Sequence, residues 1–518
     1  MFTAIEQWFR WHAERKYTTL PLMKRIPLDT IAVSSWESMW QAASPHAFVL
    51  ESGKDGRYTY LGLHPAGVIR GKAMNAELTE YDEAAEVTSI SEWEGKPLDI
   101  VRRWMEPYQA PKLEQGPKWT GGCAGFWSYD VIRSIERLPE LSADDTGLPD
   151  YLFLRMNELW IIDHEENALY CAVHSAVNVD EDDSVLKLLY EQACAKADDM
   201  TAFWELHVGQ NKEAVAVRQS RQELIQGDNL HIDVESMGGI TSPFTKEAFM
   251  AAVSRIQRYI EQGDVFQVNL SLRQSRPVQA TPEELYEWLR IFNPSPYMGF
   301  LRCPDFQLVS ASPELLVEQR GDRLGTRPIA GTRRRGRTEE EDQLMADELQ
   351  TSEKERAEHI MLVDLERNDL GRIAAYGTVQ VEELMVIERY SHVMHLVSQV
   401  DAQLAAGKDA YDVIAATFPG GTITGAPKIR TMQIIEELEP VRRGSYTGSL
   451  GWIDYNGDME FNIIIRTMAV KDGVVNIQAG AGIVIDSDPE REYYESLNKA
   501  KALWKAIQYS ERYAEQVV

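Results

Sequence analysis

The chain has 518 residues, 44% hydrophobic and 26% charged, the proportions of an ordinary globular protein that length divides into two to four domains. Its 53 basic residues stand against 81 acidic ones, a formal net charge of −28, so the surface repels nucleic-acid phosphates and anionic membranes. An anionic substrate would need local cations or a metal to reverse that field. The N-terminal MFTAIEQWFRWHAERKY has no apolar signal region, and no run approaches the ~18 apolar residues that span a bilayer. Cys123, Cys171, Cys194 and Cys303 form neither a CxxC pair nor a zinc pattern, which predicts reduced thiols in a cytoplasmic protein.

In chain order, residues 1–175 read as strands and turns. YLFLRMNELWII at 151–162, then DHEEN and ALYCAVHSAV, predict a hairpin. Residues 176–238 are acidic and polar, with DEDD at 180–183 and helical stretches, and predict a region linking an N-terminal segment to a catalytic segment at 239–518. That segment opens with a helix: Thr245 caps it, Phe249, Val253, Ile256 and Ile260 share a face, and Gly263 stops it. The strand VFQVNLSL follows, then a helix with Thr281 as cap, Pro282 at its first position and Glu284 closing a capping box. DFQLVSA, SLGWIDY, FNIIIRTMAV and VVNIQAG read as strands, and 338–372 and 490–509 as long helices. The fold class predicted is α+β, antiparallel sheets with helices packed outside.

Glu355 with Glu358, and Glu492 with Glu495, are spaced i, i+3, which puts each pair on one helix face. Opposed, two such faces would make an oxygen-rich site suited to magnesium; apart, they are two solvated faces. FPGGTITGAPKIR at 418–430 offers backbone N–H groups to an anion but is not a Walker A loop. GAG at 480–482 ends a strand and lets backbone approach a ligand closely. Arg466 interrupts the apolar FNIIIRT; a buried arginine needs an anion, from a ligand or from an internal carboxylate. His395, in YSHVMHLV, reads as a residue of an apolar helix, structural or catalytic. Glu314, after the strand and proline of SASPELLV, is either a surface group or a half-buried acid with a raised pKa.

These segments, with TRPIAGTRRRG, KERAEHIMLVDLERNDLGR, RRGSYTGSLGW and QAGAGIVIDSDPEREYYESLNKAKAL, resemble the chorismate-utilising enzyme family. That family includes the large components of anthranilate and aminodeoxychorismate synthases and the isochorismate and salicylate synthases. VLESGKDGRY at 49–58 and GGCAGFWSYD at 121–130 extend the resemblance over most of the chain. It implies the anthranilate synthase component I-like fold and a magnesium ion held by Glu358 and Glu495, with Glu355 and Glu492 beside them. It implies Arg466 and Tyr446 on the enolpyruvyl carboxylate of chorismate, helped by the backbone of Gly480 and Gly482, with Thr422 and Lys499 lining the pocket. Glu314 would be the general acid for the leaving ring hydroxyl, and His395 would lie close to the ring. Water-adding relatives carry a lysine where Gln267 stands; ammonia needs no such base, so Gln267 points to amination.

Among the aminating branches, QVNLS, DLERNDLGR with Glu366, GGTITGAPK and FNIIIRT with Asn462 resemble aminodeoxychorismate synthases more than anthranilate synthases. PIAGT, with Ala330 in place of the lysine of PIKGT, resembles the anthranilate branch. VLES also resembles the tryptophan-binding motif of anthranilate synthases, which implies a tryptophan site at Leu50, Glu51 and Ser52. No cysteine sits in a glutaminase-like elbow, so ammonia is expected from a partner glutamine amidotransferase. A non-catalytic tryptophan-binding paralogue would have lost acids that this chain keeps at Glu314, Glu358 and Glu495.

Overall fold

Strands that are buried at every position are explained by cover on both faces. In the strand Tyr151–Met156, Leu152, Leu154 and Met156 face one cluster, with Phe48, Ile161, Leu308 and Trp452. Tyr151 and Phe153 face another, with Ile100, Trp104, Val413 and Ile414. The two-residue period of a strand makes that division. The first cluster lies between two sheets; the second lies between one sheet and its outer helices. The structure, a computed structural model, describes residues 3–28, 33–53, 56–82, 84–209, 212–227, 232–235, 237–389 and 393–517.

Among these residues are an eleven-stranded and a twelve-stranded sheet, their strands paired antiparallel throughout. Each takes strands from both ends of the chain. Ala47–Glu51 pairs with Tyr297–Arg302 in the first, and Gly122–Trp127 pairs with Ser449–Asp454 in the second. Between the sheets, Trp119 stacks on Trp452 at 5.4 Å. The helices Lys246–Glu261, Pro282–Phe292 and Pro489–Val517 pack on the outside of the first sheet through Phe249, Val253, Leu285, Trp288, Leu503 and Trp504. The helix Glu353–Gly371 packs on the second through Val363 and Leu370. No helix among the described residues is long and apolar enough to cross a membrane.

The Thr245 cap is present, its side chain accepting from the Ala248 N–H, and Phe249, Val253 and Ile256 are buried. Thr281 likewise accepts from the Glu284 N–H. The Glu284 carboxylate accepts instead from Ser510 Oγ at 2.6 Å, so long-range packing takes the oxygen assigned to a capping box. Residues 151–162 are two strands, Tyr151–Met156 and Glu158–Asp163, in different sheets, and the second forms the hairpin with Ala168–Ala176. FNIIIRTMAV is likewise split, into Met459–Asn462 and Thr467–Lys471. Residues 183–204 and 212–227 are helices, the first burying Leu186, Ala193, Met200 and Trp204.

His395 is on a strand, Val393–Gln403, not a helix. An apolar run covered on both faces has no period to distinguish the two. Ladder pairing with Ile329–Arg334 and Gln380–Arg389 decides it.

Candidate active site

The strand Gln267–Pro277 brings Gln267, Asn269 and Ser271 to one face. Gln267 Nε2 donates to Glu358 Oε1 at 3.3 Å, which ties the first sheet to the helix Glu353–Gly371. On the neighbouring strand, the glycines of GAG stand close against this one. A Cβ on Gly482 would stand 2.2 Å from Gln267 Nε2, and one on Gly480 2.5 Å from the Leu270 carbonyl oxygen. The close approach expected to a ligand is, in the structure, to the adjoining strand. Lys499, from the helix Pro489–Val517, donates to the Gly480 carbonyl at 3.0 Å and pairs with Glu495 at 3.0 Å.

Glu314 sits between the strands Gln307–Ser312 and Leu315–Arg320, its carbonyl accepting from the Ile463 N–H at 3.0 Å. The side chain is buried. Burial pushes its pKa up to about 7, although the Thr422 hydroxyl, Lys499 and Arg466 all act to lower it. Desolvation of the charged form outweighs two cations that do not touch it. Thr422 lies in the short turn Gly421–Ile423, which Thr424 fastens through Oγ1 to the Gly420 carbonyl at 2.8 Å.

Arg466 occupies the break between the two short strands, in the left-handed region at φ 49°. Among the described residues no carboxylate pairs with it. Burial lowers its pKa, against the opposing pull of Glu314. The internal ion pair considered as an alternative is therefore absent, and its charge is directed towards the site. The Thr447 N–H donates to the Ile464 carbonyl at 2.8 Å, which sets buried Tyr446 beside this segment. His395 is buried, its Nδ1 3.0 Å from Thr332 Oγ1 and 3.3 Å from the Gly331 carbonyl. Burial lowers its pKa and Arg466 adds to the fall, against the Gly331 carbonyl and Glu388.

Among the described residues, buried polar atoms without a hydrogen-bond partner include Gln267 Oε1, Asn269 Oδ1, Glu314 Oε1 and Thr422 Oγ1. Each such atom costs about 1–3 kcal/mol, and these four line one region. A polar ligand would satisfy them.

The family model described as "chorismate binding enzyme" matches residues 46–505. The chain belongs to that family. It is 45% identical over 492 residues to aminodeoxychorismate synthase component 1 of Bacillus subtilis, covering 95% of this chain and 98% of that one. It is 43% identical over 477 residues to anthranilate synthase component 1 of Thermus thermophilus, covering 90% and 93%. The crystal structure of anthranilate synthase component I from Streptococcus pneumoniae superimposes with a TM-score of 0.65 at 32% identity, covering 86% and 92%. That match bears out the anthranilate synthase component I-like fold.

The candidate site residues lie where the sheets meet the helices Glu353–Gly371 and Pro489–Val517. Around Glu358 and Glu492 the geometry is looser. Burial raises the pKa of each, with Glu355 adding to the first and Glu495 to the second, and Lys354 and Lys499 act on both. Two acidic pairs facing the same two lysines are near each other. Glu355 is also held by Arg333 at 3.0 Å, and Glu492 by Ser487 Oγ at 2.7 Å. Among the described residues no three acidic, histidine or cysteine side chains stand together to hold an ion alone.

Leu50, Glu51 and Ser52 line a different space, a cavity of about 490 Å³ with Tyr58, Met298, Leu450 and Trp452. Pro313 and Leu315 line it too, so the Glu314 segment is a wall between cavity and site. Sequence reasoning missed Asn269, two residues from Gln267 and findable from the strand period. Nor did it single out Lys354, the first residue of KERAEHIMLVDLERNDLGR.

Proposed function

We propose that this chain aminates chorismate to 4-amino-4-deoxychorismate, the precursor of 4-aminobenzoate in folate synthesis, using ammonia from a separate glutamine amidotransferase in the cytoplasm. The observation that carries the chemistry is Glu314, a buried carboxyl with a pKa near 7 and no hydrogen-bond partner on Oε1. A neutral carboxyl gives its proton to the ring hydroxyl as the C–O bond breaks, so the group leaves as water rather than hydroxide. Ammonia brings its own electron pair to the ring, and Gln267 asks for no base. Arg466, without an internal carboxylate, suits a substrate carboxylate, with Tyr446, Thr422, Lys499 and the Gly480 and Gly482 backbone around it.

Glu358 and Glu492, each acted on by both Lys354 and Lys499, suit a magnesium ion, which takes one or two carboxylates and fills its shell with water and substrate oxygens. Glu358 and Glu495 would hold it, with Glu355 and Glu492 beside them. Bound there, it would supply positive charge for a substrate carboxylate in a strongly acidic protein. Glu358→Ala should lower turnover by about two to three orders of magnitude with the fold intact. Activity within a few-fold of the unmodified chain would remove Glu358 from the site.

All four cysteines have pKa values raised by burial, the opposite of an activated nucleophile, which supports a separate glutaminase. Similarity to aminodeoxychorismate synthase component 1 favours the product named, as do Glu366 and Asn462. The second reading, anthranilate with released pyruvate, rests on Ala330, buried on the strand Ile329–Arg334 where no amine can attack the ring. Product analysis decides: the chain is mixed with chorismate, magnesium and ammonium salt. A product that added lyase converts to 4-aminobenzoate establishes the first reading; fluorescent anthranilate establishes the second. Tryptophan in the 490 Å³ cavity, at Leu50, Glu51 and Ser52, would be its regulatory ligand, read as inhibition at micromolar concentration.

A further inference from the structure

The polar groups of the site arrive on separate pieces of chain: Gln267 and Asn269 on the strand Gln267–Pro277, Thr422 in the turn Gly421–Ile423, and Tyr446 after the helix Lys428–Leu438. All of these pieces meet one side chain, Arg443, which is 4% exposed. Its Nη2 donates to the Asn269 carbonyl at 2.6 Å, and its Nη1 to the Ile423 carbonyl at 3.1 Å and to Thr447 Oγ1 at 3.3 Å. Thr447 Oγ1 in turn donates to the Tyr446 carbonyl at 2.6 Å, and the guanidinium lies 5.6 Å from the centre of the Tyr446 ring. The remaining donors go to Glu439, Nε to Oε2 at 3.0 Å and Nη2 to Oε1 at 2.7 Å. Every N–H of the guanidinium is thereby used, so Arg443 has none to offer a substrate.

Glu439, at the end of the helix Lys428–Leu438, extends the hold. Its Oε1 also accepts from the Ser271 N–H at 2.9 Å and from Ser271 Oγ at 2.8 Å. Ser271 Oγ accepts from Gln478 Nε2 at 2.9 Å, on the strand that carries Gly480 and Gly482. Glu314 is fixed by other groups: its carbonyl accepts from the Ile463 N–H at 3.0 Å, and its own N–H donates to Ser312 Oγ at 3.4 Å. A buried ion pair is weak evidence of stabilisation, because apolar side chains of similar volume often serve as well. An apolar pair cannot, however, hold the Asn269 and Ile423 carbonyls and the Thr447 hydroxyl at the spacing of a rigid planar fork.

Building on the reading of this region as a chorismate site, we propose that Arg443 is a positioning residue for it: paired with Glu439, it clamps the strand of Gln267 and Asn269, the turn of Thr422 and the segment of Tyr446 at fixed separations, and so sets the fit of the substrate without touching it. The clamp acts on the binding walls of the site and not on the acid, which Arg443 does not contact. Its loss is therefore felt first in affinity. A misplacement of about 1 Å in such a wall can cost about a hundredfold, so a partial loosening is expected to cost about tenfold.

Two measurements test this. Arg443→Lys keeps the charge and the pairing with Glu439, but a single ammonium nitrogen cannot meet acceptors spread around a fork. In this variant amide hydrogen exchange should quicken over residues 267–271, 421–424 and 444–447 and stay the same in the strand Ala168–Ala176, at the far side of the first sheet, a readout that needs no substrate. Unaltered exchange in those segments would overturn the proposal. Calorimetric titration with chorismate and magnesium, without ammonia, should then show binding weakened about tenfold or more, and in turnover KM for chorismate should rise by the same factor while kcat changes less. Arg443→Met combined with Glu439→Gln, which leaves no buried charge, should stay folded and bind chorismate as poorly. Affinity equal to that of the unmodified chain in either folded variant, or a fall in kcat at unchanged KM, would make Arg443 a structural residue only. Failure of the unmodified chain to bind chorismate would instead count against the proposed function, leaving hydrogen exchange to judge the clamp.

Discussion

Glu51 and Glu314 are both glutamates removed from water, one lining the 490 Å³ cavity and one in the wall that separates it from the candidate active site, yet they are in opposite electrostatic states. Glu51 receives two hydrogen bonds from Arg290, at 2.7 and 2.8 Å, and one from Tyr286 Oη at 3.1 Å. Burial alone would raise its pKa, but the Arg290 charge and these hydrogen bonds overcome that and hold it below the usual carboxylate value. Glu314 is approached by Lys499 and Arg466 but contacted by neither, and burial wins. Contact, rather than the mere presence of cations, decides whether a buried carboxylate stays charged. A structural acid has its partners inside the fold; an acid meant for a substrate is left short of them.

The same isosteric substitution at both sites sharpens that contrast. Glu314→Gln removes the proton donor, and kcat for amination should fall by about 10²–10⁴. Steady-state rates with ammonium measure it; a fall of less than tenfold would assign proton donation elsewhere. Glu51→Gln leaves Arg290 buried with one carboxylate, Glu287 at 2.8 Å, in place of two. Breaking a buried pair costs about 3–5 kcal/mol, so urea unfolding at neutral pH should register a loss of that order. Because the folded pKa of Glu51 is depressed, its contribution is present above the ordinary value of 4.5 and disappears as pH falls through the folded one. The deficit of the variant should therefore shrink in acid.

Legibility followed the same divide. Elements fixed by local chemistry were readable: the Thr245 cap, the face of Phe249, Val253 and Ile256, and the turn within GGTITG. Elements fixed by what covers them were not. His395 sits in a run buried on both faces, so nothing in VMHLV separates strand from helix. The two sheets share YLFLRMNELWII, and only the crossing at Asn157 reveals it. Within the site, the acidic i, i+3 pairs and Arg466 are visible as residues out of place. Glu366 is visible only as a motif difference, because its surroundings include the Lys428–Asp369 pair, a contact spanning two helices.

The smallest effect tests the cost of leaving Glu314 short of partners. Its pKa moves from an ordinary 4.5 when unfolded to about 7 in the fold. Between those values the folded chain binds more protons than the unfolded chain, so stability falls as pH rises through that interval and the penalty is constant above it. Glutamine has no charge to desolvate and escapes the penalty at every pH. Glu314→Gln should accordingly match the unmodified chain near pH 4.5 and exceed it by roughly 1–3 kcal/mol near pH 8, in the variant that has lost its activity. Thermal unfolding at pH about 5 and about 8 reads this directly, as a gap in Tm that widens with pH. A constant gap would mean that the substitution acts through packing. A gap that narrows would mean that Glu314 finds in the fold the partner that Glu51 has in Arg290.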